Sequence, residues 1–327
     1  MTLNLTTAIE HWPIAGTFGI SRGSKTEAVV VVAELRKGHA RGRGECVPYA
    51  RYGENVDSVL AQINAMRPQL ENGLDRIGLQ AAMPPGAARN ALDCALWDLD
   101  AKCSGRPVHE LAGLSAPRAL TTAYTISLAG PADMAKVAQK SASRALLKVK
   151  LGAEGDVERI AAVRAAAPYS TLIVDANEGW SERDVGVNFA ACAEAGVVLI
   201  EQPLPQGKDE LLAQMQRTIP VCADESIHDR PSLAELAGKY DAINIKLDKA
   251  GGLTEALAVA AEAKRQNFVI MVGCMVATSL AMAPAVLLAQ TACFVDLDGP
   301  LLLSKDRPNG LRFDDGLVYP PSPSLWG

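Results

Sequence analysis

No C-x-x-C pair occurs in this sequence, and its seven cysteines (Cys46, Cys94, Cys103, Cys192, Cys222, Cys274 and Cys293) are scattered and odd in number. That pattern excludes a disulfide scaffold or zinc framework and predicts reduced, mostly buried thiols. Basic residues are not in excess: 32 Lys and Arg stand against 37 Asp and Glu, a net charge of −5. A nucleic-acid-binding surface needs surplus Lys and Arg to replace phosphate counterions, so no nucleic-acid partner is expected. The N-terminus has no basic segment leading into an apolar core, and no secretory signal is expected. The four histidines, His11, His39, His109 and His228, have no ligand-like spacing. One stretch, Phe268 to Val295, carries no charge and is long enough to span a bilayer. It is interrupted by Gly273, Thr278, Ser279, Pro284 and Gln290, and reads instead as a buried strand–helix pair. A cytoplasmic protein without a membrane partner is expected.

What is present is a globular composition, 49% hydrophobic and 21% charged over 327 residues. This length suits one large or two unequal domains. The first third reads as a small α+β unit. Glu27–Leu35 is a β-branched strand, continued after a turn through Cys46, and Asn55–Leu70 and Ala87–Cys103 are helical, with Leu92, Ala95, Leu96 and Leu99 on one face. From Ala119 short apolar runs alternate with Ala-rich helical segments. The runs are Thr121–Leu128, Leu146–Leu151, Leu172–Asp175, Val197–Glu201, Pro220–Asp224, Ala242–Lys246, Val269–Cys274 and Phe294–Asp298. Eight βα units most simply close as a parallel barrel. An open doubly wound sheet is the alternative, but no G-x-G-x-x-G follows the first strand. The expected fold is α/β: a TIM-type (β/α) barrel over residues 116–300 and an α+β capping domain over 1–115, completed by the Pro-rich tail 301–327.

Active sites of parallel barrels lie at the C-terminal strand ends. There the sequence places Lys148 and Lys150, Asp175, Glu201, Asp224, Lys246, and Asp296 with Asp298. Asp175, Glu201 and Asp224 end three consecutive strands, so their carboxylates converge at one rim. Three like charges at short range need a cation, and hard oxygen ligands suit Mg²⁺ or Mn²⁺. Strand ends also meet solvent, where carboxylates are common, so the triad alone is not decisive. Lys148 and Lys150 are two apart and share a face, while Lys246 comes from across the rim. A metal with a lysine on either side suits proton transfer next to a carboxylate, through a base whose pKa is pulled below ~10.4. Lysines simply salt-bridged to these carboxylates are the plainer alternative.

The segments K-V-K (148–150), D-A-N (175–177), E-Q-P (201–203), D-E-S (224–226), N-I-K-L-D-K-A-G-G (244–252) and D-L-D-G-P (296–300) resemble, in this order and spacing, the enolase superfamily. Within it they resemble the muconate-lactonizing-enzyme-like subgroup and its dipeptide epimerases, over essentially the whole chain. The resemblance implies a modified (β/α) barrel with a capping domain, and one Mg²⁺ per subunit on Asp175, Glu201 and Asp224. It also implies Lys150 and Lys246 as acid/base pair on opposite faces of the substrate, and Lys148 as an auxiliary lysine near the substrate carboxylate. Asp296 and Asp298 are implied to bind a dipeptide's α-ammonium, with Thr125 and Cys274 as smaller contacts. Loops Thr17–Lys25 and Tyr49–Glu54 close over the substrate in such proteins. Arg22 is a candidate partner for a Glu side-chain carboxylate, a plain surface arginine being the equal alternative.

The implied activity is epimerisation of L-Ala-D-Glu to L-Ala-L-Glu in recycling of cell-wall peptides, by a homo-oligomer. Rivals with the same chemistry are an epimerase of another dipeptide, an N-acylamino-acid racemase, an o-succinylbenzoate synthase and a muconate cycloisomerase. Asp296 and Asp298 discriminate, because an acylated or purely anionic substrate gains nothing from two facing carboxylates. A non-catalytic binding protein on the same barrel is disfavoured by the cost of keeping buried lysines and clustered carboxylates.

Overall fold

In the computed structural model, which describes residues 3–327, the chain opens with a long β-hairpin. Strands β1 (Leu3–Ile20) and β2 (Gly23–Lys37) pair antiparallel from Leu3↔Lys37 to Ile20↔Gly23, and β3 (Ala40–Cys46) extends the sheet from β2. Sequence reasoning placed a strand only at Glu27–Leu35 and a loop at Thr17–Lys25. The hairpin runs through both, and its turn is only Ser21 and Arg22. Strand β1 escaped notice because it carries Pro13 and Gly16, which weaken a strand signal. The register shifts between Pro13 and Phe18, a bulge that bends the hairpin tip.

The three-stranded sheet packs on the helix Ala87–Ser104, whose predicted face of Leu92, Ala95, Leu96 and Leu99 joins Leu5, Val31, Leu35 and Val59 in one core. The approach is close enough to require glycine. A Cβ on Gly44 would lie 2.1 Å from the Ala91 carbonyl oxygen, and one on Gly42 2.2 Å from that of Ala95.

The barrel strands are β5 (Tyr124–Ile126), β6 (Leu146–Lys150), β7 (Thr171–Asp175), β8 (Val197–Glu201), β9 (Val221–Ala223), β10 (Ala242–Ile245), β11 (Val269–Gly273) and β12 (Phe294–Asp296). They pair in parallel in sequence order. The ends meet through Ala123 N donating to Val295 O (2.8 Å) and Leu297 N donating to Thr122 Oγ1 (2.9 Å). Eight parallel strands are present at the eight predicted runs. The first run divides: β4 (Leu120–Thr121) separates from β5 and pairs with the tail.

The barrel interior is layered by the two-residue period of a strand. Leu146, Ile173, Leu199, Cys222, Ala242 and Met271 form an apolar layer. Two residues further along the same strands come Lys148, Asp175, Glu201, Asp224, Asn244 and Gly273. An apolar floor thus forces a polar ceiling from the same strands. The uncharged Phe268–Val295 stretch forms β11 and the buried helix Ser279–Leu288, and among the described residues no helix is long and apolar enough to cross a membrane.

The tail touches both halves. Its hairpin β13 (Phe313–Asp314) and β14 (Leu317–Val318) pairs with β4. Its end docks on the capping helix, with Trp326 Nε1 donating to Cys94 O (3.0 Å) and Gly327 N to Asp98 (2.7 Å). Arg307 joins Glu10 and Glu45 of the capping sheet to Thr278 of the barrel. All seven cysteines are free thiols, four of them buried.

Candidate active site

The C-terminal ends of β7, β8 and β9 bring carboxylate oxygens of Asp175, Glu201 and Asp224 within 4.8 Å of one another. All three are buried. Lysines surround them: Lys150 Nζ lies 2.6 Å from Asp175, Lys246 Nζ 2.6 Å from Asp224, and Lys148 Nζ 2.7 Å from Glu201 and 3.1 Å from Asp175. Strands β6 and β10 stand four apart in an eight-strand barrel, so Lys150 and Lys246 face the carboxylates from opposite sides. Glu201 Oε1 accepts from Asn244 Nδ2 at 2.8 Å. Glu201 Oε2 is buried and accepts no hydrogen bond, because Lys148 approaches it outside a hydrogen-bonding direction. An all-oxygen donor set of three buried carboxylates converging on one point fits a hard divalent cation such as Mg²⁺ or Mn²⁺.

The charges shape one another. Burial opposes ionisation of Asp175 and Asp224, yet the adjacent lysines hold both carboxyls well below the usual range. Glu201 is pushed up to about 7, by burial and then by Asp175. Burial works against the charge on Lys148 and Lys246, but Asp296 and Glu201 hold Lys148 protonated and Asp224 does the same for Lys246. For Lys246 this is the reverse of the lowered pKa expected of a base at this site. Around Lys148 and Lys246 the carboxylates at 2.6–3.1 Å outweigh burial.

Asp296, at the end of β12, accepts from Lys148 Nζ at Oδ2 (2.7 Å) and keeps a buried Oδ1 without a hydrogen-bond partner. Asp298 lies beyond the strand at the start of a short 3₁₀ turn. It accepts from the backbone N of Thr125 (2.6 Å), and burial followed by Asp296 raises its carboxyl to about 7. Thr125, Cys274, Asp296 and Asp298 all line one cavity with the three lysines, of about 630 Å³ including its open mouth.

The capping unit closes that cavity, and here Arg22 departs from its expected role. Arg22 Nη1 donates to Asn177 O (2.8 Å) and Glu178 (3.0 Å), and Nη2 to Glu225 (2.6 Å) and Tyr49 OH (3.3 Å). Both terminal nitrogens are spent on the protein. Lys25, opposite Phe18 in the hairpin, lines the same cavity, and burial lowers its pKa. Its ammonium lies 5.9 Å from the centre of the Tyr49 ring and has no acidic partner among the described residues. Sequence reasoning quoted Lys25 as the end of a loop and passed over it. The available signal was a lysine three residues from Arg22 at a strand pairing position, legible only if β1 is recognised. It also passed over Lys249, whose ammonium meets Asp224 Oδ1 at 2.5 Å on the side away from Lys246's oxygen. Gly251 and Gly252 form a tight turn, at φ 80 and 111, leading into the helix Leu253–Arg265.

Comparison with known proteins bears on the whole chain. Residues 2–113 match the mandelate racemase/muconate lactonizing enzyme N-terminal domain, and residues 132–324 match the enolase C-terminal domain-like family. The chain is 48% identical to the L-Ala-D/L-Glu epimerase of Escherichia coli (strain K12), over 95% of this chain and 97% of that protein. It is 46% identical to an N-acetyl-D-glutamate racemase of Pseudoalteromonas sp, over 91% and 94%. An enolase family member from Agrobacterium tumefaciens with homology to dipeptide epimerases, solved with sodium and L-Ala-L-Glu, superposes with a TM-score of 0.98 at 53% identity, covering 99% and 100% of the chains. A dipeptide epimerase from Cytophaga hutchinsonii, complexed with Mg and D-Ala-L-Val, gives 0.91 at 27% identity, covering 98% and 94%. With its layered barrel, carboxylate triad and flanking lysines, the chain belongs to the mandelate racemase/muconate lactonizing enzyme family of the enolase superfamily.

Proposed function

We propose that this protein is a Mg²⁺-dependent isomerase that interconverts L-Ala-D-Glu and L-Ala-L-Glu at the glutamyl α-carbon. One observation carries the reading: two buried lysines, Lys150 and Lys246, line one cavity and flank one carboxylate triad from opposite sides. Inversion of a carbon centre needs a base on one face and an acid on the other, and two lysines supply both in either direction. Lys150 as the free amine takes the α-proton, and the C–H electron pair passes into the neighbouring carboxylate to give an enediolate. Lys246 as the ammonium then delivers a proton to the opposite face, and the reverse reaction exchanges the roles. A Mg²⁺ ion held by Asp175, Glu201 and Asp224 supplies positive charge that offsets the charge developing on the substrate's α-carboxylate.

The rest of the cavity supports an acidic dipeptide. Asp296 Oδ1, unpartnered, and Asp298 offer two acceptors to an N-terminal ammonium. Lys25 lines the cavity as a cation with no acidic partner among the described residues, placed for a side-chain carboxylate. The Agrobacterium structure with L-Ala-L-Glu and the Escherichia coli epimerase support the same substrate. An N-acylated amino acid has no ammonium for Asp296 and Asp298, which sets the racemase reading second. The same reading makes the protein a cytosolic homo-oligomer that acts on dipeptides released from cell-wall peptides.

The test is proton NMR of L-Ala-D-Glu with the protein and Mg²⁺ in D₂O, beside N-acetyl-D-glutamate. Loss of the glutamyl α-proton with appearance of the L,L diastereomer is the expected result. Exchange of N-acetyl-D-glutamate alone would transfer the assignment to a racemase, and exchange of neither substrate would sink the reading.

A further inference from the structure

Glu178 follows β7 in a left-handed backbone conformation (φ 64), which turns its carboxylate from the barrel rim toward the capping unit. There it accepts from Arg51 Nε (2.9 Å) and Nη2 (2.8 Å), from Arg22 Nη1 (3.0 Å) and from the backbone N of Gln206 (2.9 Å). Its side chain is 8% exposed, against 28% for Arg22 and 35% for Arg51. Arg22 is the turn of the β1–β2 hairpin, and Arg51 belongs to the short turn Ala50–Tyr52 after β3. One barrel carboxylate therefore fastens two separate segments of the cap, together with the loop after β8. A bidentate arginine–carboxylate pair is among the more directional of polar contacts.

The hairpin tip carries more than Arg22. Lys25 pairs with Phe18 directly behind the turn, and both line the active-site cavity. Lys25 has no ion pair of its own among the described residues, so its position follows the strand that bears it. That strand end is held to the barrel rim by Arg22, through Glu178, Glu225 and Asn177 O. Across the hairpin, Leu128 N donates to Gly19 O (3.0 Å) and pins the other edge.

We propose that Glu178 is a positioning residue for substrate selection: by gripping Arg22 and Arg51 it fixes the hairpin tip and so sets Lys25 against the distal carboxylate of an acidic dipeptide. This rests on the function proposed above for Lys25. Glu178 itself does not line the cavity that holds Lys150 and Lys246. Loss of its charge therefore loosens recognition and leaves proton transfer in place. Arg22 acts through this latch, since pairing with substrate would require it to abandon Glu225 at 2.6 Å.

The experiment compares wild type with Glu178→Gln, Glu178→Ala and, from the exposed side of the same contact, Arg51→Met. Two readouts are taken: kcat and KM on L-Ala-L-Glu and on the neutral L-Ala-L-Leu, and the rate of tryptic cleavage after Lys25. The expected result is a preference for the acidic over the neutral dipeptide reduced about tenfold, through KM, with kcat on the acidic substrate little changed. Cleavage after Lys25 is expected to accelerate in step, Glu178→Ala more than Glu178→Gln. A purely structural role would lower kcat/KM for both dipeptides alike, and that result would overturn the proposal, as would unchanged selectivity with unchanged cleavage. Wild type inactive on both dipeptides would overturn the functional reading and the selection claim with it. Faster cleavage in Glu178→Ala would still establish the latch.

Discussion

Lys148 and Asp296 form a buried ion pair at 2.7 Å that joins the second barrel strand to the eighth across the inside of the first. One Asp296 oxygen is committed to Lys148 and the other is left unpartnered. Lys148 in turn touches Glu201 and Asp175, so one ammonium ties the ammonium-binding corner of the cavity to the metal corner. Burying so many ions is costly, and the compensation is their mutual contact.

Lys150→Ala and Lys246→Ala each remove one of the two proton-transfer groups. Epimerisation should fall by about 10³-fold or more in either variant, with the melting temperature within a few degrees of wild type. The sharper outcome is in D₂O. Each variant should still exchange the α-proton of one diastereomer, and the diastereomer should be opposite for the two variants. Exchange of both diastereomers by a single-lysine variant would show that the lysines do not divide the faces between them.

Lys25→Met removes the unpaired cation of the hairpin. KM for L-Ala-L-Glu should rise by about 10- to 100-fold, with little change for a neutral dipeptide, and Lys25→Arg should recover most of the loss. Steady-state kinetics on both substrates measures this. An equal loss on both would mean that Lys25 only shapes the cavity.

Arg307 is the cation partner of the fully buried Glu45, at 2.7 Å, and also reaches Glu10 and Thr278. Arg307→Ala leaves that carboxylate buried without its cation, which should cost about 3–5 kcal/mol of stability, measured by urea unfolding. Because the contact joins the tail, the capping sheet and the barrel, the loss should be recoverable in part by Glu45→Gln in the same chain.

Asp93 sets part of the pH dependence of stability. Buried in the capping helix, it accepts from Thr254 N and Gln80 Nε2, both at 2.9 Å. Burial raises its carboxyl from 3.8 to about 6. A folded-state pKa above the unfolded one favours the protonated fold. The contribution is therefore complete below pH ~4 and lost as pH rises through ~6, a change on the order of 3 kcal/mol. Asp93→Asn should remove this part of the slope in urea unfolding between pH 4 and 7. An unchanged slope would assign it to other groups.

How much was legible in the sequence follows from which interactions are local. The barrel announced itself because each βα unit repeats a short apolar run and a helix within about 25 residues, and because a strand's two-residue period fixes which side chains face inward. The same period set Lys148 and Lys150 on one face and lifted Asp175, Glu201 and Asp224 to one rim. By contrast, β1 is irregular in pattern and owes its form to pairing with β2.

The sequence by itself therefore determined the barrel, the triad and the flanking lysines, since strand period and unit order carry all three. Only the tertiary structure decided which cation of the hairpin is left without an acidic partner at the cavity. Arg22 and Lys25 are three residues apart, and nothing in their own chemistry separates them. Glu178 and Glu225, more than 150 residues away, occupy the one and leave the other unpaired. The charges of Lys148 and Lys246 were settled the same way, by carboxylates brought within about 3 Å through closure of the barrel.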